Sequence, residues 1–232
     1  MRLMALGTSS GRPTRDRHVS AFAVDVEGAW ILIDCGDGTQ HQVLLSPLKP
    51  SRLHTVLITH LHGDHALGLP ALLATMGLDG RTAPLHLIGP RGLGAWLEAT
   101  TALPLLHIDF PLELTELDET DFANGPSEII TVRGHVVDAL PLRHRVPSFG
   151  FRISETARSG RSLAVFGDTT PCANGVRLAA DVDLLVHEAT YTEAHADLAE
   201  RFMHSTASQA AAVAAEARAR RVHRFVAAIR DG

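Results

Sequence analysis

The segment Thr59-His60-Leu61-His62-Gly63-Asp64-His65 concentrates three imidazoles and a carboxylate. His60 and His62 are two apart, so an extended backbone points both to one side. Gly63 permits a sharp turn, after which Asp64 and His65 face a second position. Imidazole is the commonest protein ligand for transition metals, and this donor mix suits zinc or a similar borderline cation. Distant positions can complete such a site. His144 lies in Leu142-Arg143-His144-Arg145-Val146-Pro147, just after a strand-like run, and Asp168 lies in Phe166-Gly167-Asp168-Thr169, at another strand end. A carboxylate there could bridge two cations. Read singly, His144 fits a surface histidine equally well, and Gly-Asp-Thr fits a helix N-cap.

Precise placement of ligands requires rigid elements beneath the loops. Arg2–Gly7, Ser20–Val26 and Trp30–Asp34 are short and β-prone, and Glu27-Gly28 between the last two reads as a hairpin turn. Thr55–Thr59 is a continuous apolar run leading into the histidine cluster, as expected of a strand buried on both faces. Leu85–Ile88, Glu128–Val132, Val136–Leu142, Ser148–Ile153, Ser162–Phe166 and Asp183–Val186 complete the strand signals. Helical patterns occupy Thr39–Leu45, Leu67–Met76, Gly92–Thr101 and the alanine-rich Thr206–Arg220. Two broad halves result, each mostly sheet first and helix later. A sheet-on-sheet sandwich with helices on its outer faces suits this order. A doubly wound sheet competes, but many neighbouring strands are joined by turns too short for a crossover helix.

The chain has 232 residues, 45% hydrophobic and 20% charged, which suits one packed α/β domain, 1–232. No apolar run approaches the roughly 20 residues that span a bilayer, so no membrane partner is expected. Met1–Gly7 reads as a first strand rather than a signal-peptide core. Cys35 and Cys172 are the two cysteines, with no Cys-x-x-Cys, which points away from a disulfide framework and toward a reducing cytoplasm. The net charge of −5 argues against a large nucleic-acid surface but leaves room for a local patch. The 14 histidines make a metal the first hypothesis to test.

Across most of its length the chain resembles ribonuclease Z, the tRNA 3′-processing endonuclease family of the metallo-β-lactamase superfamily. The resemblance is carried by Leu6-Gly7-Thr8-Ser9-Ser10-Gly11-Arg12-Pro13-Thr14, by Ile33-Asp34-Cys35-Gly36-Asp37-Gly38-Thr39, and by the cluster His60–His65 with Gly68-Leu69-Pro70. It continues through His144 with Val146-Pro147-Ser148-Phe149-Gly150-Phe151-Arg152-Ile153, Gly167-Asp168-Thr169, His187-Glu188-Ala189-Thr190 and His204-Ser205-Thr206. The histidine cluster marks the superfamily. His-Glu-Ala-Thr and His-Ser-Thr with the amino-terminal pattern mark ribonuclease Z.

The resemblance implies an αββα sandwich, two zinc ions, precursor tRNA as substrate and a cytoplasmic homodimer. His60, His62 and His144 would hold one zinc, Asp64 and His65 the other, and Asp168 would bridge. Asp34 would orient the ligand loop. Asp64 would orient the attacking water and accept its proton. Glu188 and His204 would stand opposite, where the departing ribose oxygen needs a proton. His187 is expected to be structural.

Two departures stand against this pattern. The family supplies a last zinc ligand from a histidine motif after the final helix. Counting from His204 places it near Val226, and His223 falls three residues early. The end reads as a truncated or frame-shifted version of the family's terminus. Many bacterial members also carry a long tRNA-gripping arm between the positions of His144 and Asp168, where this chain has the plain loop Ser154–Arg161. Arg12, Arg15, Arg17, Arg143 and Arg145 remain as basic residues near the expected site, and His18 stands where the family usually has asparagine. Two alternatives stay open: a metallo-phosphodiesterase for smaller or single-stranded substrates with weak tRNA activity, and a metal-deficient inactive scaffold.

Overall fold

The computed structural model describes residues 1–102, 108–157 and 160–225. The position near Val226, where the family's last zinc ligand would fall, lies outside them. The chain divides into two compact units, Met1–Leu117 and Asp118–Gly232.

The first unit is a six-stranded sheet with strands in sequence order. β1 (Arg2–Gly7), β2 (Ala21–Val26) and β3 (Ala29–Ile33) are antiparallel neighbours. Val26 pairs with Ala29 across Glu27 and Gly28, whose φ angles of 42° and 90° place both in the left-handed region. That is the two-residue hairpin whose twist matches the strands it joins. β4 (Leu53–Leu57), β5 (Leu85–Pro90) and β6 (Leu112–Leu117) then add in parallel. Parallel pairing needs crossovers, and these carry α1 (Thr39–Leu45), the single turn α2 (Gly63–Ala66), α3 (Leu69–Leu78) and α4 (Leu93–Thr101). Pro70 fits the first turn of α3, where its missing N–H removes no helical bond.

Trp30, Leu32, Leu53, Val56 and Leu87 of this sheet share one apolar cluster with Val43, Leu69, Leu72, Leu73, Met76 and Leu93 of the helices and their ends. The alternate residues Phe22, Val24, Ile31, Ile33 and Leu57 are equally buried. Burial on both faces is why β3 is an unbroken apolar run rather than an alternating one.

The second unit repeats the plan. β7 (Ser127–Val132), β8 (His135–Leu142), β9 (Ser148–Glu155) and β10 (Ser162–Phe166) form an antiparallel meander. β11 (Leu184–Glu188) and β12 (Val222–Phe225) add in parallel at the other edge. α5 (Ala173–Leu178) makes the first crossover, and α6 (Ala196–Phe202) with α7 (Ala207–Glu216) makes the second. Ser154 pairs with Ser162, so β9 and β10 are joined by a short hairpin. The alanine-rich helix begins where expected, with Thr206 and Gln209 in a reciprocal capping box. It ends earlier than the sequence suggests, because Arg218 takes a left-handed conformation (φ 53°).

In both units the chemistry-bearing residues follow strands that run the same way. Asp34 follows β3 and His60 follows β4, while His144 follows β8, Asp168 follows β10, and Glu188 ends β11. Rigid strands thus deliver each set to one sheet edge. Leu32 is fully buried in the middle of the first sheet. Leu32→Ala is expected to destabilise the protein by about 2–5 kcal/mol through the lost packing and the cavity left behind, read as a lower urea midpoint.

Candidate metal centre

Asp34 organises the first ligand set. It takes φ 60° immediately after β3, a conformation tolerated by Asp better than by most side chains. This turns its carboxylate inward, where it is 3% exposed. Its Oδ1 accepts from the Thr59 amide at 2.8 Å, both oxygens lie 2.9 Å from Thr59 Oγ1, and Oδ2 lies 2.7 Å from His65 Nδ1. A carboxylate accepts only, so the Thr59 hydroxyl hydrogen and the His65 Nδ1–H both point to it. The Thr59 oxygen has then spent its hydrogen, and His60 Nδ1 at 3.0 Å must be the donor to it. His60 and His65 are therefore both held as Nδ1–H tautomers, with the lone pair on Nε2.

His62 meets the His60 ring edge-on at a centroid distance of 4.8 Å, and the rings of His60 and His65 are 4.0 Å apart. Asp64 Oδ2 accepts from the Gly11 amide at 2.6 Å and lies 3.6 Å from His65 Nε2. The loop after β3 presses on this cluster, with the Cys35 amide donating to the His65 carbonyl at 2.7 Å. Glycine is required for that approach: a Cβ on Gly36 would lie 2.2 Å from the Asp64 carbonyl oxygen. Burial pushes the Cys35 thiol pKa up, so it stays a protonated packing group.

The second unit builds its set around Glu188. This side chain is fully buried. Oε1 accepts from the amides of Thr169 (3.2 Å) and Ser205 (3.0 Å) and from His204 Nδ1 (3.0 Å), and Oε2 accepts from the Thr190 amide at 2.9 Å. Burial pushes its pKa up, but the His204 hydrogen bond, the His204 and His187 charges and the backbone donors outweigh it, and the carboxyl is held below its ordinary range. His204 Nδ1 is also 3.7 Å from Asp168 Oδ2, and ligand atoms of Asp168, Glu188 and His204 lie within 4.8 Å of one another. His144 Nδ1 is 2.9 Å from the Met203 carbonyl oxygen. A carbonyl can only accept, so His144 is also an Nδ1–H tautomer with its lone pair on Nε2. Met203 presents that carbonyl from a left-handed conformation (φ 57°) capping α6.

The sequence-derived candidates thus gather within each unit: His60, His62, Asp64 and His65 beside Asp34 in the first, and His144, Asp168, Glu188 and His204 in the second. His187 is buried against Phe166 with its Nδ1 on the Glu188 carbonyl at 2.7 Å, and burial lowers its pKa. It joins no ligand group among the described residues. His223 is exposed in β12, opposite Val186. Arg12, Arg15, Arg143 and Arg145 are exposed, Arg17 is half-buried, and His18 lies against Gly38.

Sequence reasoning missed the holders: Thr59, Thr169, Thr190, Ser205 and the Met203 carbonyl. The threonines and the serine sit inside the motifs but carry no metal signature of their own, and a backbone carbonyl has none at all. These holders provide the test of fit. For His60, His65 and His144 the hydrogen bonds place the proton on Nδ1, so that Nε2 is the nitrogen able to donate to a cation. Within each unit, imidazoles held this way beside buried carboxylates have the donor chemistry that suits a divalent cation.

Similarity to known proteins runs the length of the chain. The Beta-lactamase superfamily domain matches residues 29–224. A Ribonuclease Z from Exiguobacterium sp. is 39% identical, with 92% of this chain and 84% of that protein covered. Their alignment runs over 261 positions, more than this chain's length, so that relative carries insertions. A Ribonuclease BN from Erwinia tasmaniensis is 35% identical, covering 96% of this chain and 87% of that protein. The crystal structure of human tRNase Z, short form, superposes with a TM-score of 0.88 at 35% identity, covering 97% of this chain and 92% of that one.

Asp34→Ala leaves the donors of Thr59 and His65 without their acceptor. Metal affinity is expected to fall about 10–100-fold, as read by competition with a chromogenic chelator. Glu188 has its own signature. Because its native pKa is depressed, its contribution to stability is fully present at neutral pH. It is lost as pH falls from the ordinary glutamate range through the lowered native value. Glu188→Gln is therefore expected to flatten the acid limb of a stability-versus-pH curve; an unchanged limb contradicts the assignment.

Proposed function

The chain belongs to the ribonuclease Z family of the metallo-β-lactamase superfamily and has that superfamily's αββα sandwich fold, and from this premise we propose that it is a zinc-dependent endoribonuclease that removes the 3′ trailer from precursor tRNA. The observation that carries the reading is the buried Glu188 holding His204 by Nδ1 beside Asp168. A metal site alone fits many hydrolases. A histidine oriented by an ionised carboxylate next to a ligand carboxylate adds the proton donor that a poor alkoxide leaving group needs.

The proposed ligands are His60, His62 and His144 for one zinc and Asp64 and His65 for a second, with Asp168 bridging. When bound, zinc polarises a phosphoryl oxygen and makes water acidic near neutral pH. Asp34 and Thr59 hold the imidazoles of His60 and His65 by Nδ1, so that Nε2 is the nitrogen that would hold a cation. Asp64, steered by the Gly11 amide, orients the attacking water and takes its proton. Glu188 stabilises the imidazolium of His204, whose Nε2 then delivers a proton to the departing ribose oxygen.

A homodimer is proposed on the strength of the family and of Leu44 and Leu45 on α1 and Leu78 on α3, large apolar side chains left 61–77% exposed on helices that pack on each other. A cytoplasmic location is proposed from the two free cysteines. Among the described residues no helix is long and apolar enough to cross a membrane.

The short β9–β10 hairpin favours one second reading, hydrolysis of smaller or single-stranded phosphodiesters with feeble tRNA cleavage. Assaying a precursor tRNA beside a chromogenic phosphodiester separates the two. Under either, His62→Ala and Asp64→Ala are expected to abolish hydrolysis, and removal of zinc by a chelator to do the same until zinc is restored. Full activity in either variant refutes the assigned centre.

A further inference from the structure

Phe202 ends α6, two residues before His204, and its half-buried ring carries two cations. The guanidinium carbon of Arg145 lies 4.5 Å from the ring centroid and that of Arg201 lies 5.4 Å from it. Arg145 is further tied by Nη2 to the Arg201 carbonyl oxygen at 3.3 Å. Tyr191 lies parallel to the Phe202 ring (6.4 Å, 6°) and 5.9 Å from the His204 ring. Arg145 also directly follows His144, so the cluster is built into the loops that present His144 and His204.

Arg161, Arg218 and Arg220, all exposed, each pair with a carboxylate. Among the described residues neither Arg145 nor Arg201 does, although they share one ring and repel each other. Placing unneutralised guanidinium groups together, in a chain of net charge −5, makes sense if an anion arrives between them. A guanidinium laid on an aromatic face keeps its in-plane N–H groups free for the two oxygens of a phosphate.

We propose that Arg145 and Arg201, carried on Phe202, grip a backbone phosphate of the RNA strand next to the scissile linkage. The inference rests on the ribonuclease reading above and adds the residues that hold the strand in place of the missing arm.

The test is direct binding by the full zinc-loaded chain. The probe is a fluorescent precursor tRNA whose scissile linkage is a non-hydrolysable 3′-methylene phosphonate, titrated by anisotropy between about 50 and about 200 mM salt. Arg145→Ala is expected to weaken binding about tenfold and to lower the log–log salt slope by about 1. Arg145→Gln, which keeps the stem on Phe202 and removes the charge, is expected to do the same. Arg145→Lys should regain part of the affinity, and Phe202→Leu should lose part of it. Arg218→Ala, which removes a paired exposed arginine, should bind as the unmodified protein does. Unaltered affinity and slope in Arg145→Ala and Arg145→Gln overturn the proposal, and so does an unmodified chain that fails to bind the probe. Cleavage of the natural precursor, assayed alongside, separates the two claims. Binding that depends on Arg145 without cleavage leaves the grip and sinks the nuclease reading. Cleavage with unaltered variant binding does the reverse.

Discussion

An ionised carboxylate can stay out of water only if donors surround it, and two such carboxylates hold this molecule's reactive loops in place. Asp34 in the first unit and Glu188 in the second are both nearly or fully buried at the ends of central strands. Each recruits donors from loops far away in sequence: Thr59 and His65 for Asp34, and Thr169, Thr190, His204 and Ser205 for Glu188. Withdrawing any of these loops would leave a charge stranded in a low-dielectric interior. The loops are therefore held by these buried carboxylates as well as by their own close packing.

The same constraint sets protonation. Because Asp34 takes the hydrogen of Thr59, the Thr59 oxygen is left as an acceptor for His60, and a single carboxylate determines the tautomer of two imidazoles. His144 reaches the same state by a different route, through a backbone carbonyl at a helix end. Both solutions place the ring proton on Nδ1 and leave the lone pair on Nε2. The convergence is chemical: any acceptor suffices, provided that it cannot also donate.

Much of this was legible in the sequence. The histidine cluster stood out because so many donor side chains rarely fall together without a shared role, and the strand leading into it could be read because it is buried on both faces. The Glu27-Gly28 turn was equally plain, since its backbone needs residues that tolerate positive φ. Other parts were not legible. β6 is an exposed edge strand written Leu-Glu-Leu-Thr-Glu-Leu, and β12 is a short, largely exposed strand, so neither carries a periodic apolar signal strong enough to stand out. α5 and α6 are too short for helical periodicity to declare itself. The holders of the site eluded the reading because hydroxyls and carbonyls acquire their role from where the fold brings them.

The hairpin between β9 and β10 has a further consequence. β10 runs toward the site edge of its sheet, so the turn that precedes it sits at the opposite edge, and its flanking strands are locked by register from Ser154 to Gly150. Lengthening such a turn adds only about 0.6 kcal/mol of closure entropy per doubling. This corner is therefore a place where a lineage can graft on or discard an accessory limb without disturbing the catalytic loops. Substrate range and reaction chemistry can then evolve as separable traits on one scaffold.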